Sequence, residues 1–440
     1  MSERATYGSS RATTGLFIFL AILVAIVPLP FGSVRPIAWT LAIAATALAL
    51  IFYVLAGGRR VVGPPWWIAL PQILLLMALI GQLLPLGRLM PISFDVAGLA
   101  ITSDHLSVSP TSTALMVLRL AGYGLFLMLV LTVSANPRRA TGLLYIGLGV
   151  VVAYAALGML LLVQGGDTIL GGEKWVYQGL ATGPFVNHNS FASLLGMGLS
   201  VGPACLFAVI SSDRAPSQKL IHSIAIVLCV LVIGTALLAT GSRMGALAGL
   251  IGAAVTAFLG MRQIGGIWGW LTLLAALIAC GVLLAFGAGD DLLTRAFGID
   301  VSLDSRWALY GQVWDAILKR PLLGYGGGSF YWAFAPFAHP PLLADVEWTK
   351  AHSTVLQWWF ELGLVAGSLP LVIYLATLGG LVRRAFAEDR WYLSLAATGA
   401  LITTGLHSLI DFPLEIPANA YFLLLLIGIG LAGQRSRPEE

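Results

Sequence analysis

Residues 141–163 read TGLLYIGLGVVVAYAALGMLLLV, 23 positions without a charged side chain. At about 1.5 Å of rise per residue, a helix of this length covers the ~30 Å hydrocarbon core of a bilayer. Backbone polar groups have no water partner in that core, so a continuous apolar run is a helix and not the alternating strand of a barrel. The same reading extends outward to eleven further windows, at 13–32, 36–56, 66–86, 113–133, 190–210, 220–240, 244–260, 267–287, 353–380, 391–411 and 417–433. Over the whole chain 58% of residues are hydrophobic and 10% charged, with a mean hydropathy of +0.90, far from soluble globular composition. The expected fold is all-α: a polytopic membrane protein of about 12 transmembrane helices, one integral domain over residues 1–440.

Arg4 and Arg11 precede the first window, as they would in a secretory signal. That window ends in Pro28-Leu29-Pro30-Phe31 with no small-residue cleavage site, and it is read as a span. Cys205, Cys229 and Cys280 all fall inside apolar windows, tens of residues apart, which is neither a disulfide framework nor metal-ligand spacing. They read as small packing residues.

Basic residues are retained on the cytoplasmic side of short loops. With the N-terminus inside, the inner segments carry Arg4, Arg11, Arg59, Arg60, Arg138, Arg139, Arg214, Lys219, Arg262, Arg383, Arg384, Arg390, Arg435 and Arg437. The short outer loops carry only Arg35, Arg88, Lys174 and Arg243. Both termini are therefore expected in the cytoplasm, and the long segment 288–350, between the ninth and tenth spans, on the periplasmic side. The net charge of +4 follows from this topology and does not point to nucleic acid.

Within that large loop, residues 305–320 have a helical pattern, with Trp307, Tyr310, Trp314, Ile317 and Leu318 on one face and Asp304 or Ser305 as cap. Pro321 ends it. Such an amphipathic helix either lies along the outer membrane interface or roofs a cavity between spans. Gly324-Tyr325-Gly326-Gly327-Gly328 follows, too rich in glycine for helix or strand. Two other outward stretches, 87–112 and 164–189, are longer than a turn; the second leads through Phe185-Val186-Asn187-His188-Asn189 into the sixth span.

Several polar residues stand where an apolar chain needs a reason for them. Arg243, in a three-residue turn between two spans, is either an arginine reaching lipid phosphates or an anion clamp. Arg306 would sit in the first turn of the loop helix, where a cation opposes the helix dipole unless an anion is bound there. His352 opens the tenth span; it either hydrogen-bonds a backbone carbonyl or takes part in chemistry. Glu361 lies nine residues further in, roughly 13 Å along a helix, and must be protonated or paired, with Arg119 at a comparable depth as a structural partner. His407 and Asp411, four apart, share a helix face and either orient His352 or satisfy each other. No cluster here has the look of a metal site.

In Phe185-Val186-Asn187-His188-Asn189, Gly241-Ser242-Arg243, Ser305-Arg306-Trp307, Arg320-Pro321-Leu322-Leu323-Gly324-Tyr325-Gly326, Ala351-His352 and Glu361-Leu362-Gly363-Leu364, the chain resembles the O-antigen ligase and O-antigen polymerase superfamily of bacterial membrane glycan transferases. The resemblance covers roughly the C-terminal 260 residues, and the order, spacing and membrane side of the motifs make it specific. It implies transfer of a glycan from undecaprenyl diphosphate to an acceptor sugar hydroxyl on the periplasmic side of the inner membrane, inverting and metal-independent, with no cofactor. By position, Arg243 and Arg306 would hold the diphosphate and His352 would act at the reacting centre, as base or as a diphosphate-binding imidazolium. Asn187, His188, Asn189, Arg119 and Arg320 would complete the substrate-binding set, with Glu361, His407 and Asp411 in supporting positions. One departure is Ser353, where the family pattern has Asn after the histidine; it bears on how His352 is oriented.

The implied partners are the lipid-linked donor, membrane lipid and an acceptor glycan. For a ligase the acceptor is lipid A-core, for a polymerase another lipid-linked repeat. Ligase is favoured and polymerase is the alternative; the loop's five basic and seven acidic residues do not form an obvious surface for phosphorylated core sugars. Twelve spans also suit a transporter or flippase, but that class predicts charges near the midplane and related halves, and here the outer-boundary charges dominate.

Overall fold

Prolines open the helical frame. Pro36, Pro110, Pro137, Pro216 and Pro417 are each the first residue of a helix, where the missing N–H costs nothing and the fixed φ is already helical. The computed structural model describes residues 11–58, 60–87, 89, 92–96, 99–164, 168–170, 172–174, 176–264, 301–342 and 348–432. The expected ninth span at 267–287 and residues 288–300 of the large loop lie outside the described residues. So do Arg4, Arg59, Arg88, Cys280, Arg295, Arg435 and Arg437, and, among the loop acids, Asp290, Asp291, Asp300, Asp345 and Glu347.

The described helices are α1 (Arg11–Ile26), α2 (Pro36–Leu55), α3 (Trp66–Gln82), α4 (Pro110–Ser134), α5 (Pro137–Val163), α6 (His188–Ile210), α7 (Pro216–Ala239), α8 (Arg243–Ile264), α9 (Val301–Lys319), α10 (Phe330–Phe334), α11 (Thr354–Ala385), α12 (Trp391–Ser408) and α13 (Pro417–Leu431). Eleven of the twelve apolar windows hold one of these helices. By length and composition seven of the described helices can cross a membrane, and α1, α3 and α13 are shorter apolar helices. The frame is thus the all-α, polytopic one expected, with two small additions. Antiparallel hairpins, Ile92–Val96 with Leu99–Ser103 and Thr168–Ile169 with Gly172–Glu173, occupy the α3–α4 and α5–α6 connectors.

Helix α6 is the axis of the bundle, with 83% of its apolar window buried. It packs backbone to backbone on α8: a Cβ added to Gly249 would meet the Gly196 Cα at 2.7 Å. Close approach of small residues gives dispersion contact where lipid offers no hydrophobic drive between helices. The starts of α6, α8 and α11 and the end of α12 lie at one end of the bundle. Arg138, Arg139, Arg214, Lys219, Arg262, Arg383, Arg384 and Arg390 belong to the opposite helix ends.

The described part of the large loop packs in a core of Leu309, Val313, Ala316, Ile317, Tyr325, Phe330, Ala333, Phe334 and Leu342 that it shares with Ala351 and with Phe360 of α11. This corrects the expected face of α9. The buried stripe is Leu309, Val313, Ala316 and Ile317, all 0% exposed, whereas Trp307, Trp314 and Leu318 on the far side are 70%, 40% and 54% exposed. The helix carries two apolar stripes. The compact aliphatic one packs inward, and the bulky aromatic one is left outside, where tryptophan suits a membrane boundary.

Below this small core, α11 is broken at Gly363, whose φ of 76° and ψ of 169° no side-chain-bearing residue adopts comfortably. The break frees carbonyls, and the glycine-rich loop takes them up. Tyr325 N–H donates to Phe360 O (3.0 Å), Gly326 N–H to Glu361 O (2.8 Å), and Leu364 N–H to Pro321 O (2.7 Å). Gln82 completes the seam from α3, donating to Leu323 O (2.8 Å) and Glu361 O (2.9 Å) and accepting from Gly327 N–H (2.9 Å). The motifs Gly324–Gly328 and Glu361–Gly363 are therefore two halves of one backbone joint.

Candidate functional site

Four elements converge at the site end of the bundle. Asn187 caps α6, its side-chain oxygen accepting from Asn189 N–H (2.7 Å) and Ser190 N–H (3.3 Å), while its amide donates to the Tyr177 hydroxyl (3.4 Å). With the helix start fixed in this way, His188 turns its Nδ1 onto the Thr240 carbonyl at 2.7 Å, and its ring lies tilted at 47° to that of Tyr177, with the centroids 4.5 Å apart. Asn189 hydrogen-bonds the Asp411 carboxylate, which also accepts from Phe412 N–H at 2.8 Å.

From the end of α12, the His407 Nδ1 lies 2.7 Å from the Ser193 hydroxyl, which donates to Asn189 O at 3.1 Å. Both bonds are made when Nδ1–H donates to Ser193, and the lone pair is then on Nε2. His407 and Asp411 do not satisfy each other's side chains, as one sequence reading had it; α6 satisfies both.

Arg306 enters from α9 with its guanidinium 3.4 Å from Ile410 O. Its charge acts on Tyr177, His188, Tyr310, His352, His407 and Asp411, making it the electrostatic centre of the cluster. The first-turn argument for this arginine is corrected. The helix begins at Val301, so Arg306 lies beyond the first turn and its setting is tertiary, not dipolar.

His352 sits against these groups in a left-handed backbone, φ 49°, uncommon for a residue with a side chain. Two neighbours hold it there. Tyr310 donates from its hydroxyl to His352 O at 2.7 Å, and Ser353 caps α11, accepting from Leu356 N–H at 3.5 Å. The imidazole lies between Trp348 (ring centroids 5.9 Å apart) and Phe412 (5.2 Å), and its Nδ1 is buried without a partner among the described residues. Burial, then the charge of Arg306, lowers His352 to about 4, so the ring is neutral near pH 7. The Ser353 departure is conservative in this role, because Ser and Asn cap helices about equally well. Ser353→Asn is therefore expected to leave thermal unfolding unchanged, whereas Ser353→Ala should cost about 1 kcal/mol, both read from melting curves in detergent.

Arg243 is the exposed first residue of α8, joined to the cluster through the 240–242 turn whose Thr240 carbonyl holds His188. Arg119 is not paired with Glu361, the partner expected for it. It pairs with Glu415 at 4.0 Å, and Lys350 contacts the same carboxylate at 2.7 Å. Burial alone would raise Glu415, but Lys350 and Arg119 hold it below the usual carboxylate range.

Glu361 is met by donors instead: Gly328 N–H (2.8 Å), Phe330 N–H (3.3 Å) and the Gln357 amide (3.1 Å). Arg320 folds back on its own loop, with Nε donating to Gly324 O at 2.9 Å and Cζ 5.9 Å from the Tyr325 ring, away from the Arg306 cluster. Tyr177, Lys350 and Glu415 are not singled out in the sequence, and Tyr310 only as a face residue of the loop helix. Glu415 had a usable signal, an acid between two apolar windows, the same reasoning that exposed Glu361. Among the described residues no group of three or more His, Cys, Asp or Glu side chains could hold a metal ion.

No curated protein matches the chain. Three solved chains match; one, from a structure described as "Structural coordination of polymerization and crosslinking by a peptidoglycan synthase complex", is 17% identical, covers 84% of this chain and 99% of its own, and superposes with a TM-score of 0.44. At that score the likeness says nothing about function. Residues 224–371, the segment with Arg243, Arg306, His352 and Glu361, match the family model described as O-antigen ligase. That match covers less than half of the chain and supports the resemblance to the O-antigen ligase and polymerase superfamily.

Proposed function

We propose that the chain is an O-antigen ligase-type transferase that moves a glycan from undecaprenyl diphosphate to an acceptor sugar hydroxyl at the periplasmic face of the bacterial inner membrane. The observation that supports the reading is that the Arg306 guanidinium, 3.4 Å from Ile410 O, and the left-handed His352, its ring centroid 5.2 Å from that of Phe412, converge on the same 410–412 turn. A diphosphate is already a good leaving group and needs charge balance more than protonation, and arginine supplies that bidentately. Arg306, with Arg243 at the rim, would take up the charge that grows on the departing oxygen.

A sugar hydroxyl is a poor nucleophile. Neutral His352 accepts its proton as the oxygen lone pair attacks the anomeric carbon and the glycosyl–diphosphate bond breaks, a single displacement that inverts the centre without a metal ion. Such a base contributes roughly 10²- to 10⁴-fold. The neutral ring favours the base over an imidazolium clamp.

The test is replacement of Arg243, Arg306 and His352 by alanine in the native host, with surface polysaccharide resolved on a gel; unchanged glycan from all three removes the proposal. In a deletion strain, full-length polymer left on the lipid carrier identifies a ligase and single repeats a polymerase. Conversion by purified protein in detergent, where nothing can be crossed, separates a transferase from a transporter.

Tyr310→Phe probes the setting of His352. The lost hydrogen bond is worth about 1 kcal/mol, and releasing the left-handed backbone should lower kcat several-fold with little change in donor KM. Equal losses in both constants would argue for a general structural role.

A further inference from the structure

At the end of α11 remote from His352, a cavity of about 370 Å³ is lined by Trp67, Ala376, Gly379, Gly380, Arg383 and Arg384. We propose that this cavity binds the phosphate of an anionic phospholipid from the leaflet at that end.

The chemistry of the lining points to it. Arg384 is buried and is met by Glu388 at 3.9 Å, whereas Arg383 is exposed and has no carboxylate partner among the described residues. Two adjacent guanidiniums, one of them uncompensated, favour a net anion over a zwitterion.

The space is built by glycine. Trp67 fills the side-chain position of Gly380, where an added Cβ would meet its ring at 2.9 Å, while a Cβ on Gly379 would meet nothing within 4 Å. Below the cavity, Val372 and Leu375 are 49% and 64% exposed at helical spacing from Gly379 and Arg383, giving an apolar track for acyl chains. Trp66, exposed next to Trp67 at the start of α3, is the aromatic residue expected at headgroup depth. A free phosphate would have no use for that track.

Native mass spectrometry of the full chain in detergent tests this, with phosphatidylglycerol, phosphatidylethanolamine or inorganic phosphate added. The wild type should retain phosphatidylglycerol over phosphatidylethanolamine. Arg383→Gln, a surface change with no described ion pair to lose, should weaken retention about fivefold, the effect of one arginine near a membrane surface. Gly379→Leu, which fills the space and keeps both charges, should weaken it as well, and a melting curve verifies that each variant is folded. Equal retention of both lipids, or folded variants that bind like wild type, overturns the proposal. Displacement of phosphatidylglycerol by inorganic phosphate assigns the cavity to the free anion instead and also overturns it.

Discussion

Arg306→Ala is expected to remove glycan transfer while leaving the protein folded. Loss of one preorganised donor to a developing anion costs about 10²- to 10³-fold in kcat in acyl-transfer sites, and Arg306 is the charge that acts on six neighbouring groups. Its described protein hydrogen bond is a long one, 3.4 Å to Ile410 O, so the fold loses little. Arg306→Lys should recover only part of the rate, because an ammonium cannot bind two phosphate oxygens in a fork. A kcat within about threefold of wild type in Arg306→Ala would place the leaving-group charge elsewhere.

The pH profile gives the same residue a second readout. His352 acts in its neutral form, and burial and Arg306 put its folded value at about 4. Since kcat/KM reports the free enzyme, it should stay level as pH falls from neutrality and decline only as pH approaches about 4. Arg306→Gln removes one of the two causes, so the residual activity should decline at a higher pH, nearer the ordinary histidine value of about 6.5. An imidazolium clamp has the opposite sign, with kcat/KM rising on acidification, and would be seen at once in the same titration.

What the sequence made legible follows from what each signal depends on. Apolar windows are read from composition, because lipid rewards the whole run and not any one contact; hence eleven windows hold helices. His352, His407 and Asp411 stand out in the sequence because polar groups are costly in an apolar chain, and that cost is visible without a fold; Arg306, in the charged loop, stands out only for a first-turn placement that the helix start at Val301 does not bear out. Partners were not legible. Arg119 meets Glu415 and not Glu361 because the 413–415 turn, far along the chain, returns between α12 and α13 to the start of α11. The inward face of α9 was misread because two stripes were both apolar, and only the shape of the Tyr325–Phe360 aromatic core selects the slimmer one. The left-handed His352 has no sequence signature, since its conformation is imposed by Tyr310 and the Ser353 cap.

Glu361→Ala is the substitution expected to cost most in stability, and for a reason unrelated to chemistry at His352. Its two oxygens accept from Gly328 N–H, Phe330 N–H and the Gln357 amide, all in the buried seam between the glycine loop and the break in α11. Each buried donor left without an acceptor costs about 1–3 kcal/mol, so the variant should lose several kcal/mol, a large part of a typical 5–15 kcal/mol fold. Glu361→Gln keeps the volume and one acceptor but turns an NH₂ toward donors, and should fall between.

The same seam can be attacked from its other side. Gly326 has a φ of 111°, and an added Cβ would lie 2.1 Å from the Ser107 hydroxyl, so Gly326→Ala should be about as damaging with every polar group intact. Melting curves and size-exclusion profiles in detergent read both variants. If Glu361→Ala melts with the wild type yet is inactive, the carboxylate works on substrate. If both variants lose the fold together, the glycine motif and the Glu361 motif are one joint, and it is through that joint that α9 and Arg306 are held over His352.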